Sequence, residues 1–129
     1  MKTQSFNEIE NLTKEYSMIP ICKEIYADVI TPIQLLRKME AFDKNFFLLE
    51  SVEGGEKWAR YSFLGYEPVL HITCKDGKVT QKSGEIEHTV TVDPMDALRQ
   101  LLHKYKSPKI EGMPTFTGGF VGYFVPAPI

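Results

Sequence analysis

A carboxylate and a hydroxyl end an apolar run in the first half of the chain, where Leu48 and Leu49 are followed directly by Glu50 and Ser51. Successive side chains of a strand point to opposite faces, so Glu50 and Ser51 would leave such a strand on different sides. The strand end could then offer the Ser51 hydroxyl and backbone groups to a polar ligand. A strand that simply leaves the core would show the same residues, and spacing alone does not decide between these two interpretations.

No group of residues in the sequence indicates a catalytic or metal site. The three histidines lack the spacing of metal ligands, and Cys22 and Cys74 form no Cys-x-x-Cys pair. No Ser-His-Asp or Cys-His order can be assigned. The glycines at 118–122 lack the lysine and the following helix of a phosphate-binding loop. We therefore expect no catalytic residue and no metal ligand in this chain.

Length and charge exclude several classes of protein. The 129 residues, of which 43% are hydrophobic, suffice for one ordinary domain with a buried core. The 15 Lys and Arg residues against 17 Asp and Glu residues leave no basic surface for nucleic acid or an anionic membrane. The polar start is unlike a secretory signal, and no run of 18 apolar residues suggests a membrane span. We expect a cytoplasmic protein.

Three segments begin with helix-capping residues. Ser5 opens a Ser-x-x-Glu capping box. Thr31 and Asp93 are each followed by a proline, which is the pattern of an N-cap residue with proline at the first helical position. Apolar residues recur at helical intervals after all three. The sequence therefore predicts three helices, of which the second ends near Phe42 and the third near Ser107.

The middle of the chain predicts an antiparallel hairpin. Apolar and alternating residues at 45–52 and 57–65 flank a Gly54-Gly55 turn signal. A loop centred on the two glycines would pair Leu49 with Arg60. A slip of one residue would exchange the two faces of the second strand, so this register depends on the turn.

Further β segments complete the predicted fold. Three segments after the hairpin, at 68–74, 79–82 and 86–92, form an antiparallel meander. Two more strands are predicted, an edge strand around Pro20 at 18–26 and a glycine-rich strand at 118–124. Together with the helices they predict an α+β fold, an antiparallel β-sheet assembly flanked by two or three helices.

The last part of the sequence is strongly apolar. Residues 112–129 carry no charge and include three phenylalanines and a tyrosine, which would form an exposed apolar patch if nothing covered them. We therefore expect the chain to be a piece of a longer protein. Association of two copies through this segment is the alternative.

Three ordered motifs resemble the N-terminal region of the anthranilate synthase component I family. They are Phe-Leu-Leu-Glu-Ser at 47–51, Arg-Tyr-Ser-Phe-Leu-Gly-Tyr-Glu-Pro at 60–68 and Gly-Gly-Phe-Val-Gly-Tyr-Phe at 118–124. Together with the helix start at Thr31 they cover most of the chain. The aminodeoxychorismate synthase component I family has a similar region, but the Leu-Leu-Glu-Ser string fits the anthranilate family better.

The resemblance implies an activity for the whole protein rather than for this piece. Members of the family convert chorismate to anthranilate, using a magnesium ion and ammonia from a glutamine amidotransferase subunit, component II. The residues that bind chorismate and metal lie in the family's C-terminal region, which this chain lacks. We therefore expect the chain alone to be catalytically inactive and to hold no cofactor.

The resemblance also implies a regulatory ligand. Ser51 would contact L-tryptophan at a feedback site, with Glu50 and Leu49 at the same strand end. Later segments complete the family's pocket, so this chain would hold part of it and bind tryptophan weakly, if at all.

The sequence departs from the family at its end. Where the family continues with a Gly-Tyr-Asp type stretch, this chain has Val-Pro-Ala-Pro-Ile at 125–129. We therefore expect residues 1–124 to form the N-terminal regulatory domain and treat 125–129 as a tail whose native status is in question. A free-standing amino-acid-binding or interaction module is the alternative from a different functional class.

Overall fold

A computed structural model of the protein describes residues 4–26, 28–42, 44–50 and 61–126. These ranges contain three helices and five strands: α1 (Phe6–Leu12), α2 (Pro32–Glu40), β1 (Phe46–Glu50), β2 (Ser62–Tyr66), β3 (His71–Lys75), β4 (Lys78–Ser83), β5 (Ile86–Thr91) and α3 (Pro94–Lys104). The strands form two antiparallel sheets. The predicted α+β fold is confirmed. None of the described helices is long and apolar enough to cross a membrane.

All three helices begin where the capping residues predicted. The Ser5 hydroxyl accepts the Glu8 backbone N–H at 3.3 Å, and the Thr31 hydroxyl accepts that of Gln34 at 3.2 Å. The Asp93 carboxylate accepts two backbone N–H groups of the first turn of α3, at 2.9 and 3.1 Å. These bonds satisfy donors that have no partner inside the helix. Both α2 and α3 end two to three residues earlier than predicted.

The chain divides into two compact units. The first contains Met1–Ile25 and Asp93–Ile129, and therefore α1 and α3. The second, Tyr26–Val92, is continuous in sequence and contains α2 and all five described strands.

In the second unit, β1 and β2 form an antiparallel pair that α2 contacts on both strands. The predicted antiparallel pair of strands is present, but the predicted register differs from the observed one by three residues. Leu49 pairs with Phe63 instead of Arg60. The described pairing runs from Phe46 and Tyr66 to Glu50 and Ser62. The predicted Gly54-Gly55 turn lies outside the described residues. Because the shift is odd, it exchanges the faces of β2.

The predicted meander is confirmed by the second sheet, in which β4 lies between β3 and β5. Asp76 and Gly77 both have positive φ, at 51° and 73°, as the short turn between β3 and β4 requires. Val79 on the central strand is completely buried. The Thr80 and Thr89 hydroxyls lie 2.9 Å apart across β4 and β5. The sheet thus has short, sequence-encoded turns and a valine at its centre.

In the first unit, the segment after α1 is bound to the end of α3. The Ser17 and Met18 backbone N–H groups donate to the Lys106 carbonyl at 3.0 and 3.1 Å. The Ser17 hydroxyl donates to the Lys104 carbonyl at 2.6 Å, which satisfies an acceptor at the helix end. Ala97 and Leu101, one turn apart on α3, are buried.

Two predicted strands are wrong. Residues 18–26 and 118–124 contain no strand, and no described strand pairs with them. Pro20 has no N–H to donate to a sheet, and Gly118 and Gly119 have φ angles of 143° and 156°, which residues with side chains rarely adopt. Composition favoured strands here, but a strand also needs a neighbour for its backbone hydrogen bonds.

Candidate functional site

The candidate ligand-contacting residues lie at the end of β1. Glu50 is the last residue of the strand, and both Glu50 and Leu49 are exposed, Leu49 to 46%. Ser51, the third predicted contact, lies outside the described residues. The structure therefore places two of the three predicted residues together, at an accessible strand end.

The register with β2 gives the two sides of this strand end different chemistry. Leu49 pairs with Phe63, whose ring centroid lies 6.0 Å from that of Tyr61, with the rings tilted by 35°. Glu50 pairs with Ser62. Because side chains alternate along a strand, one side presents apolar and aromatic groups and the other a carboxylate and a hydroxyl. Leu49 and Phe63 therefore form an apolar surface on one face of the pair, and Glu50 and Ser62 lie on the opposite face.

A glycine shapes the apolar side of the pair. Gly65 lies directly across from Phe47, and a Cβ atom placed on Gly65 would lie 2.7 Å from Phe47 Cζ. The aromatic ring therefore occupies the space that a side chain on Gly65 would take. The close contact belongs to the same pair of strands that ends in Leu49 and Glu50.

The described residues provide few groups for other chemistry. They contain no cluster of three or more His, Cys, Asp or Glu side chains that could hold a metal ion. Cys22 and Cys74 are both exposed free thiols.

Sequence reasoning missed the aromatic neighbours of Leu49. The assumed turn placed Arg60 and Ser62 on the Leu49 side of the hairpin, whereas the observed register places Phe63 and Gly65 there. The signal that could have found this register is the glycine itself, since a glycine inside a strand often marks a close approach by another group.

Comparison with known proteins identifies relatives over most of the chain. The chain is 38% identical over 121 residues to anthranilate synthase component 1 of Acetivibrio thermocellus and 35% identical over 121 residues to that of Aquifex aeolicus, with 93% of the chain covered in each case. It is 40% identical over 111 residues to the protein of the same name from Neisseria gonorrhoeae, with 84% of the chain covered. The matched regions span 24%, 24% and 22% of these relatives.

The other two comparisons gave no match. No protein-family model matches the chain. No solved structure matches it either. The relationship is therefore shown by the sequence relatives alone. This chain spans about a quarter of their length.

Proposed function

We propose that this chain, which is related over nearly its whole length to part of anthranilate synthase component 1, is the N-terminal regulatory portion of such an enzyme. The observation that supports this most strongly is the 38% identity over 93% of the chain. In the whole protein, a cytoplasmic enzyme of tryptophan biosynthesis, the portion would bind L-tryptophan as a feedback inhibitor.

The strand end of β1 has chemistry that suits this ligand. L-Tryptophan has an apolar indole ring together with an ammonium and a carboxylate group. Leu49, Phe63 and Tyr61, on one face of the pair, can contact the ring. Glu50 lies on the opposite face, so its contact with the ligand is proposed from the resemblance alone. The Ser51 hydroxyl, assigned by resemblance, would be the third contact. Later segments of the whole protein would complete the pocket.

Catalysis would depend on regions that this chain does not share with its relatives. The described residues do not supply a cluster of metal ligands, so we assign no magnesium to them. We place the chorismate site, the magnesium ion and the surface for the glutamine amidotransferase subunit in the remaining three-quarters of the protein. The chain alone would therefore make no anthranilate.

Feedback inhibition would link two sites in the whole protein. If L-tryptophan favours a state with poor chorismate affinity, thermodynamic linkage requires chorismate to weaken tryptophan binding by the same factor. The regulatory portion would thus act by shifting a conformational equilibrium, and no residue of β1 needs to touch the substrate.

The test is a bulky substitution at the predicted contact in the full-length protein. Ser51→Phe would fill the tryptophan pocket, so anthranilate formation should continue at tryptophan concentrations that inhibit the unmodified enzyme. Fluorescence of anthranilate reports the rate directly. The matched control is Ser107→Phe, which places the same ring at an exposed serine of the other unit and should leave inhibition unchanged.

Two results would contradict the proposal. Inhibition of the Ser51→Phe enzyme at the ordinary tryptophan concentration would exclude the site. Formation of aminodeoxychorismate in place of anthranilate would assign the protein to the related folate-pathway enzyme.

A further inference from the structure

Phe47 approaches Gly65 so closely that no residue with a Cβ atom would fit at position 65 with the ring in its present place. A Cβ on Gly65 would lie 2.7 Å from Phe47 Cζ and 3.3 Å from Cδ1, with Cε1 nearer still. Carbon atoms that are not bonded to each other pack at about 3.5–4.0 Å, so position 65 has no room for a methyl group while the ring stays in place.

The glycine is required for space and not for backbone conformation. Gly65 lies inside β2 and is not among the residues with positive φ, in contrast to the turn residue Gly77. Glycine in a strand interior weakens the strand because it loses more conformational freedom on folding than other residues. A benefit must offset this cost, and the closely packed Phe47 ring is the feature of the structure that provides one.

We propose that Phe47 and Gly65 act as a positioning pair for the ligand-contacting end of β1, an inference that rests on the function proposed above. Leu49 lies two residues beyond Phe47 on the same face of β1, and Glu50 ends the strand. Backbone hydrogen bonds set the distance between β1 and β2, and the ring seated over Gly65 sets the packing on the face that it shares with Leu49. The position of Leu49 relative to Phe63 is thereby set.

The surroundings limit how the pair could adjust to a larger residue at position 65. Phe47 is half-buried, and α2 contacts both strands. A side chain on Gly65 would therefore displace the Phe47 ring, and Leu49, on the same face of β1, would repack with it. Small displacements of contacting groups are enough to weaken a ligand that is held by several of them at once.

The experiment measures tryptophan inhibition in full-length enzymes that carry Gly65→Ala, Phe47→Leu or both. Gly65→Ala should raise the half-inhibiting tryptophan concentration about tenfold, since inserting a methyl into a packed site strains its neighbours. The uninhibited kcat and the KM for chorismate should stay unchanged. Adding Phe47→Leu to Gly65→Ala makes room for the methyl and should restore most of the sensitivity.

Two control variants separate positioning from general loss of stability. Ser107→Thr adds a methyl at an exposed serine outside β1 and β2 and should have no effect. Val79→Ala opens a cavity at a fully buried position of the other sheet and should lower the melting temperature without changing the tryptophan concentration that inhibits. A shift in Val79→Ala as large as that in Gly65→Ala would overturn the positioning role.

The outcomes also separate this inference from the proposed function. If the unmodified enzyme is not inhibited by tryptophan, both fail. If it is inhibited and Gly65→Ala is inhibited equally, the positioning role alone is wrong. Should Gly65→Ala not fold, Phe47→Leu decides by itself: it loosens the strand end without a clash, and an unchanged inhibiting concentration would overturn the inference.

Discussion

At the scale of single residues, Val79 is the side chain that the three-stranded sheet buries most completely. It lies on the central strand β4, between Cys74 on β3 and Val90 on β5. Its exposed fraction is 0%, whereas Ile86, at the start of β5, is 76% exposed. Burial, and not hydrophobicity alone, decides which of these aliphatic residues stabilises the fold.

Removing two methyl groups at this position should therefore be costly. We expect Val79→Ala to lower the free energy of unfolding by about 2 kcal/mol, from lost burial and the cavity left behind. Ile86→Ala, the matched control, should change it by less than about 0.5 kcal/mol. Urea unfolding followed by circular dichroism measures both, and equal effects of the two substitutions would contradict the burial described here.

The candidate site shows which residue-level features a sequence can reveal. An apolar run that ends in a carboxylate predicted that Leu49 and Glu50 lie in a strand, and β1 contains both. The partners of these residues across the sheet could not be predicted, because the sequences of the two strands alone do not fix their register. Ser51 stays a prediction.

At the scale of elements, helices were predictable and isolated strands were not. The start of a helix is fixed by bonds within four residues, as at Ser5 and Asp93, so the local sequence contains the whole signal. A strand is stabilised by a neighbour that the local sequence does not specify. Segments 18–26 and 118–124 have strand-like composition but no described strand to pair with.

The cap of α3 gives a prediction at this scale. Asp93→Ala removes the carboxylate that accepts the N–H groups of Met95 and Asp96 and should cost about 1 kcal/mol of stability. Asp93→Asn keeps an acceptor oxygen and should cost only a few tenths of that value. Thermal unfolding of the two variants measures the difference, and equal melting temperatures would show that the cap contributes nothing.

At the scale of the whole molecule, the last described segment is unusually apolar and exposed. Tyr123, Phe124 and Val125 are 88%, 80% and 78% exposed. Soluble monomers rarely present contiguous apolar residues in this way, and such patches usually mark contact surfaces. Since the relatives are about four times as long as the matched region, the rest of such a protein offers ample surface to cover the segment.

Without that cover, the chain should associate with itself. We expect its sedimentation coefficient to rise with protein concentration, because burying the aromatic side chains between copies removes them from water. Replacing Tyr123 and Phe124 with serine should leave a monomer at all concentrations, whereas replacing the exposed Thr115 with serine should not. A monomer at high concentration in the unmodified chain would contradict the prediction.

The hydrogen bonds between Ser17 and the end of α3 also set an order of events during synthesis. Ser17 and Lys106 are 89 residues apart in the sequence, and the whole second unit is translated between them. The second unit can pair its strands as soon as Val92 leaves the ribosome, since its partners are all within itself. The segment after α1, although made before the second unit, must wait for Lys106, two residues beyond α3, so it reaches its final contacts after that unit has been made.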